Sequence, residues 1–189
     1  MQPRQLIEFM NVLGNMKRNT RHVWSQDGRR ESVADHSWRL AVMALLVAGE
    51  FPGIDSEKLV KMCLIHDFGE AITGDIPSFL KTKKDEVKEE AAISDILENL
   101  PENLKIEYKY LFAEMAALET TEAKVFKALD RIEACISHNE SLLKTWLPNE
   151  FTDNLTYGAE NVTFSEYMTT LREDVRQDSI QKIERGEEL

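Results

Sequence analysis

Ser32-Val-Ala-Asp-His-Ser-Trp-Arg-Leu-Ala-Val-Met-Ala-Leu-Leu-Val-Ala-Gly49 opens with Ser32 and Asp35 in the S-x-x-D spacing of a capping box and closes on a glycine. Between them Val33, His36, Leu40, Met43 and Val47 recur at helical spacing, so the segment reads as a helix with one face turned to a core. The same period continues on both sides. Pro3 suits a first helical turn, and Leu6, Phe9, Met10 and Leu13 share a face before Gly14. Further helices are predicted from about Asp55 to Phe68–Gly69, Lys84 to Leu100, Glu102 to Leu118 and Thr121 to Trp146, the last halted by Pro148. Thr163 and Glu166 mark a final capping box, and that helix fades into the acidic end Glu184 to Leu189. No alternating strand stands out, and the stretch from Pro148 to Val162 is the least regular, a candidate mobile flap. The fold class expected is all-α and single-domain.

Composition agrees. With 189 residues there is room for one core, and 8 glycines and 5 prolines leave little turn chemistry for a many-stranded fold. The longest apolar run, Leu40 to Ala48, is shorter than the roughly 18 residues of a spanning helix, and the N-terminus lacks an export pattern. No membrane association and a cytoplasmic location are therefore expected. Cys63 and Cys135 lie among apolar helical residues and are read as free thiols. A net charge of -11 opposes binding of nucleic-acid polymers. Residues 1–30 nevertheless hold six Lys/Arg against two acids, +4, leaving -15 for the rest, so a basic corner exists that suits a small anion.

The chemistry is carried by histidines. His36 falls on the apolar stripe of its helix; His66 shares a stripe with Leu59, Met62 and Cys63, with Asp67 beside it and Glu70 one turn beyond. Either histidine alone reads as a satisfied core residue. Two inward histidines with an adjacent aspartate ask for a cation, because burying carboxylates without one costs several kcal/mol. A divalent metal held by His36, His66 and Asp67 meets that need and lacks a fourth ligand. The downstream candidate is Asp130, which sits at the border of the stripe Val125, Leu129, Ile132 and Ile136 and reads, by itself, as a surface residue.

The order Asp35-His36, His66-Asp67, Asp130 resembles the HD-domain superfamily of metal-dependent phosphohydrolases, with its H, HD, D pattern on a helical fold. Glu31-Ser-Val-Ala-Asp-His-Ser-Trp-Arg39 and His66-Asp-Phe-Gly-Glu-Ala-Ile-Thr-Gly-Asp75 resemble more closely its 5′-deoxynucleotidase branch. The likeness covers roughly residues 1 to 135. It implies one HD domain over 1–189, with a catalytic core of about 1–147 and a flap and helix over about 148–189. It also implies His36, His66, Asp67 and Asp130 as metal ligands, Glu70 and Asp75 as catalytic acids, and Arg21 as a phosphate contact, a role suited to the paired donors of a guanidinium.

The family usually places a tryptophan directly after that arginine or in a Gly-Trp pair, whereas this chain reads Arg21-His22-Val23-Trp24. Trp24 is thus either the nucleoside-stacking residue or part of the core. HD proteins with two metals carry extra histidines between the HD pair and the last aspartate. None lies between Asp67 and Asp130, so one divalent ion per chain is expected, Mn, Co, Fe, Ni or Zn. Gly74 either turns the chain to aim Asp75 at the metal or is a plain loop glycine.

The function implied is hydrolysis of (deoxy)ribonucleoside 5′-monophosphates by metal-activated water, since no serine or cysteine nucleophile with a matching base is evident. The alternatives are a related HD phosphohydrolase acting on another phosphoester or pyrophosphate, and a non-catalytic regulatory module that keeps its metal to hold its helices. A homodimer is expected from exposed apolar positions on long helices.

Overall fold

A computed structural model describes residues 1–186; the acidic end at 187–189 lies outside the described residues. The described elements are α1 (Pro3–Leu13), β1 (Thr20–Trp24), β2 (Arg30–Ser32), α2 (Val33–Val47), α3 (Ser56–Ile65), α4 (Glu70–Thr73), α5 (Lys83–Leu97), α6 (Glu102–Ala117), α7 (Thr121–Glu140), α8 (Glu150–Thr156) and α9 (Glu166–Arg185). The expected helical class holds. α7 is the axis: it packs on α2, α3, α6 and α9 and touches β1. Leu40, Leu59, Met62, Leu129 and Ile132 are fully buried where α2, α3 and α7 meet. Each such side chain removed from water contributes roughly 1.5–3 kcal/mol, which fixes these three helices against one another.

The capping box of α2 forms as read. Asp35 N–H donates to Ser32 Oγ at 3.1 Å and Ser32 N–H to Asp35 Oδ2 at 2.9 Å. Asp35 also pairs with Arg29 at 2.6 Å, so in the Asp35-His36 dipeptide the aspartate secures the helix start and the histidine turns inward. Cys63 and Cys135 are buried free thiols.

Five expectations are corrected. Residues 20–32 form an antiparallel hairpin, Thr20 opposite Ser32 and Trp24 opposite Arg30. Its strands are too short to display an alternating period, and its turn rests on Gly28 at φ 80. α3 stops at Ile65, and a turn over residues 66–69 separates it from α4. That turn presses on α5, since a Cβ at Gly69 would stand 2.8 Å from Glu89 Cγ. α7 ends at Glu140 rather than Trp146, whose indole N–H turns back to His138 O at 3.0 Å.

The stretch 148–162 is no free flap. It contains α8, whose Glu150 and Asn154 are buried, and Arg172 of α9 donates to Asn154 O at 2.8 Å and Tyr157 O at 2.9 Å. A buried guanidinium answering two helix-end carbonyls is what fixes this short segment. Finally, α9 is capped by Ser165 and not Thr163: the Ser165 hydroxyl accepts from Met168 N, while Thr163 Oγ1 donates to Glu160 O.

Candidate metal centre and active site

His36 lies in the first turns of α2, His66 at the C-terminal cap of α3 with Asp67 next to it, and Asp130 in the middle of α7. Packing of these three helices converges the four side chains. His36 Nε2 stands 3.4 Å from Asp130 Oδ1 and 3.9 Å from Asp67 Oδ2; His66 Nε2 stands 3.0 Å from Asp67 Oδ2 and 3.8 Å from Asp130 Oδ1. Such spacings suit donors that share one ion at about 2.0–2.2 Å.

Both imidazoles are oriented through the other ring nitrogen. His36 Nδ1–H donates to Glu133 Oε2, and His66 Nδ1–H donates to Cys63 O at 2.9 Å. Each Nε2 is thereby turned toward the aspartates. His66 Nε2 is buried and has no hydrogen-bond partner. A buried lone pair without a donor, beside two carboxylates, fits a divalent cation.

The electrostatics point the same way. Burial and Arg21 push the His36 pKa down, but Glu133 and Asp130 outweigh them and raise it to about 10. Burial works against the charge on Asp67, yet His66 and His36 hold its pKa at about 2, and Asp130 is kept ionised by Lys127, His36 and His66. The pocket thus carries negative potential that draws positive charge.

Glu70, in the first turn of α4, is buried and its Oε2 has no partner. Burial, reinforced by Asp67, Asp75 and Glu89, raises its pKa to about 9. Asp75 follows Gly74, whose φ of 74 is the left-handed turn that redirects the chain. Burial raises the Asp75 pKa, with Arg21 opposing and Asp67 adding to the rise. Two carboxyls whose pKa values are pushed up, Glu70 and Asp75, lie beside two, Asp67 and Asp130, whose values are pushed down, the arrangement from which acid and base roles are drawn.

Arg21, on β1, points from the hairpin into the same cavity, and its Nη1 contacts Glu31 Oε2 at 2.8 Å and Glu133 Oε2 at 3.3 Å. The cavity, of about 790 Å³, is lined by Arg21, His36, His66, Asp67, Glu70, Asp75 and Asp130. Trp24 does not line it. Its ring faces a separate shallow groove shared with Trp38 and Arg39, under the Arg30 guanidinium at 4.8 Å. The short hairpin turns that side chain away, so the structure brings together seven of the eight residues singled out in the sequence.

Glu133 was not among them. It is fully buried and also accepts from Arg39 Nε at 2.7 Å and Ser137 Oγ at 3.1 Å. Its signal lay in the sequence: it is four residues from Leu129 and eight from Val125, on the core stripe, where an acid needs cations. Lys81, ion-paired with Glu89, also lines the cavity, as do His22, His138 and Glu150.

The HD-domain family model matches residues 13–172. This chain belongs to the HD-domain family. The HD domain here is 38% identical to the 5′-deoxynucleotidase HDDC2 of Xenopus laevis over 134 residues, covering 69% of this chain and 66% of that protein. It is 35% identical to the Homo sapiens 5′-deoxynucleotidase HDDC2 over 141 residues, covering 72% and 68%. The chain thus matches about two thirds of the length of these relatives. Among solved structures, a predicted metal-dependent phosphohydrolase from Magnetospirillum magnetotacticum superposes with a TM-score of 0.80 at 26% identity, over 95% of this chain and 93% of the other. The HD family is one of divalent-metal phosphohydrolases, and the donor set of this HD domain fits such an ion. None of its described helices is long and apolar enough to cross a membrane.

Proposed function

We propose that this HD domain is a metal-dependent phosphohydrolase that removes the 5′-phosphate from nucleoside 5′-monophosphates, the deoxyribonucleotides first. The observation that carries the reading is the convergence, in one cavity, of the His36, His66, Asp67 and Asp130 donors with the acids Glu70 and Asp75 and the guanidinium of Arg21. The likeness to 5′-deoxynucleotidases supports the choice of substrate.

One ion per chain, of the first transition row, suits two imidazole and two carboxylate donors. The chemistry such an ion supplies is neutralisation of phosphate charge and a lower pKa for a water molecule. The protein does the rest. Arg21 donates paired hydrogen bonds to the phosphate and sets its orientation. Glu70, whose pKa falls once positive charge is bound beside Asp67, orients the attacking water and takes its proton. Asp75 gives a proton to the departing 5′-oxygen; the two acids exchange roles if the substrate enters the other way round. Residue Trp24 is left out of this reading, because it faces another groove.

The enzyme is further read as cytoplasmic and as a homodimer, with the exposed Trp38, Leu45 and Leu46 of α2 as the supporting observation. Phosphate release from a panel of nucleoside monophosphates, aryl phosphates and pyrophosphate compounds, with and without chelator, tests the activity. Preference for another phosphoester would replace the substrate, and metal binding without turnover would leave a regulatory module.

A further inference from the structure

The cavity has a second polar wall that the phosphate chemistry does not use. His22 of β1, His138 of α7 and Glu150 of α8 meet there: His22 Nε2–H donates to Glu150 Oε1 at 2.5 Å, and His138 Nε2 stands 3.4 Å from the same oxygen. His138 Nδ1–H donates to Asn154 Oδ1 at 2.8 Å, so its Nε2 is a lone pair. That Nε2 is buried and has no partner, and neither has the buried Asn154 Nδ2. Burial lowers the His138 pKa, which keeps the ring neutral, while His22 and His138 hold Glu150 ionised against the effect of its burial.

Two acceptors, His138 Nε2 and Glu150 Oε1, therefore face each other at 3.4 Å with no hydrogen between them, on a wall that also holds the unpaired Asn154 Nδ2. Leaving such buried groups unpaired is costly, so the wall is built for a ligand that completes it. The pair lacks one proton, and a ligand hydroxyl carries one: its O–H donates into the gap between His138 Nε2 and Glu150 Oε1. A cation fits less well. At the metal centre each histidine Nε2 stands 3.0–3.9 Å from the aspartate oxygens, whereas His22 and Glu150 are already joined by a 2.5 Å hydrogen bond that an ion between them would break.

We infer that His138, Glu150 and Asn154, with His22 steadying Glu150, form a subsite for the sugar hydroxyl of the nucleotide. The inference rests on the nucleotide reading above and adds where the nucleoside is held. Arg21, the neighbour of His22 on β1, lines the same cavity and reaches Glu133, which holds His36; the phosphate-facing and hydroxyl-facing walls thus share β1 and α7, with α8 completing the second. A deoxyribonucleoside 5′-monophosphate offers a single sugar hydroxyl, the 3′.

The test compares kcat/KM for a deoxyribonucleoside 5′-monophosphate and its 2′,3′-dideoxy counterpart, as a ratio that is independent of how much enzyme is folded. Wild type is expected to favour the deoxy compound by about 10- to 100-fold, because the dideoxy compound leaves the buried groups unpaired. In Glu150→Gln and in Asn154→Ala the ratio should fall to within about threefold of one. Equal rates on both compounds with wild type would overturn the subsite and leave the nucleotidase reading in place. Turnover of aryl phosphates but of no nucleoside monophosphate would overturn both. Two divalent ions bound per wild-type chain, falling to one in Glu150→Gln, would make the wall a cation site and overturn it as well.

Discussion

His36 and Glu133, 97 residues apart, are joined by a hydrogen bond from Nδ1–H to Oε2 in the fully buried space between α2 and α7. Glu133 holds the imidazole with its Nε2 toward Asp67 and Asp130 and also receives Arg21 and Arg39. Glu133→Gln should weaken divalent-metal affinity by about 10- to 100-fold, the usual scale for the partner of a ligating histidine. Competition with a metallochromic chelator measures it, and an unchanged affinity would reduce Glu133 to a packing residue.

The same residue makes an acid-stability prediction. Burial opposes its charge, but His36, Arg21 and Arg39 hold the folded pKa well below the ordinary glutamate value of 4.5. A depressed carboxyl stabilises the fold above its unfolded pKa and loses that contribution as pH falls toward the folded value. The difference in unfolding free energy between wild type and Glu133→Gln should therefore narrow as pH falls below about 4.5. Urea titrations of metal-free protein across that range check the sign.

Glu70→Gln should lower kcat by about 10²-fold while the chain keeps its metal, since Glu70 touches the reaction and not the ion in this reading. Steady-state kinetics with metal content measured on the same sample decide it. Normal turnover would make Glu70 structural.

Much of the centre was legible because helical period is a strong signal. It turned His36 and His66 inward before any contact was known, and Asp67 and Glu70 followed by adjacency. Asp130 was ambiguous for a physical reason: a residue at the edge of a stripe is placed by the neighbouring helix, and it is the packing of α2 and α3 on α7 that covers it. His22 and Trp24 were unreadable as a pair, because a five-residue strand shows no period and its turn decides which side chain faces the cavity. Glu150 and Asn154 were lost in a segment that reads as irregular, since what orders it, Arg172 on the last helix, is a long-range contact.

Arg21→Ala should weaken nucleotide binding by roughly 2 kcal/mol, about 30-fold, through loss of charge-assisted hydrogen bonds to the phosphate. Arg21→Lys should recover part of it, keeping charge without paired donors. Lys17 and Arg18, outside the cavity lining, serve as controls and should change little. Calorimetric titration of a deoxyribonucleoside monophosphate into Glu70→Gln protein provides the affinities. If they are equal, the phosphate is held by the ion and by another cation, such as Lys81, which lines the cavity, or Lys83.

Elemental analysis of purified protein, paired with phosphate release from a deoxyribonucleoside 5′-monophosphate, tests the metal centre most directly. About one transition ion per wild-type chain is expected, with ion and turnover lost together in Asp67→Ala and turnover restored to metal-stripped wild type by Mn or Co. Full activity in wild-type protein that contains no metal, or in Asp67→Ala, would contradict the assignment of His36, His66, Asp67 and Asp130 as its ligands.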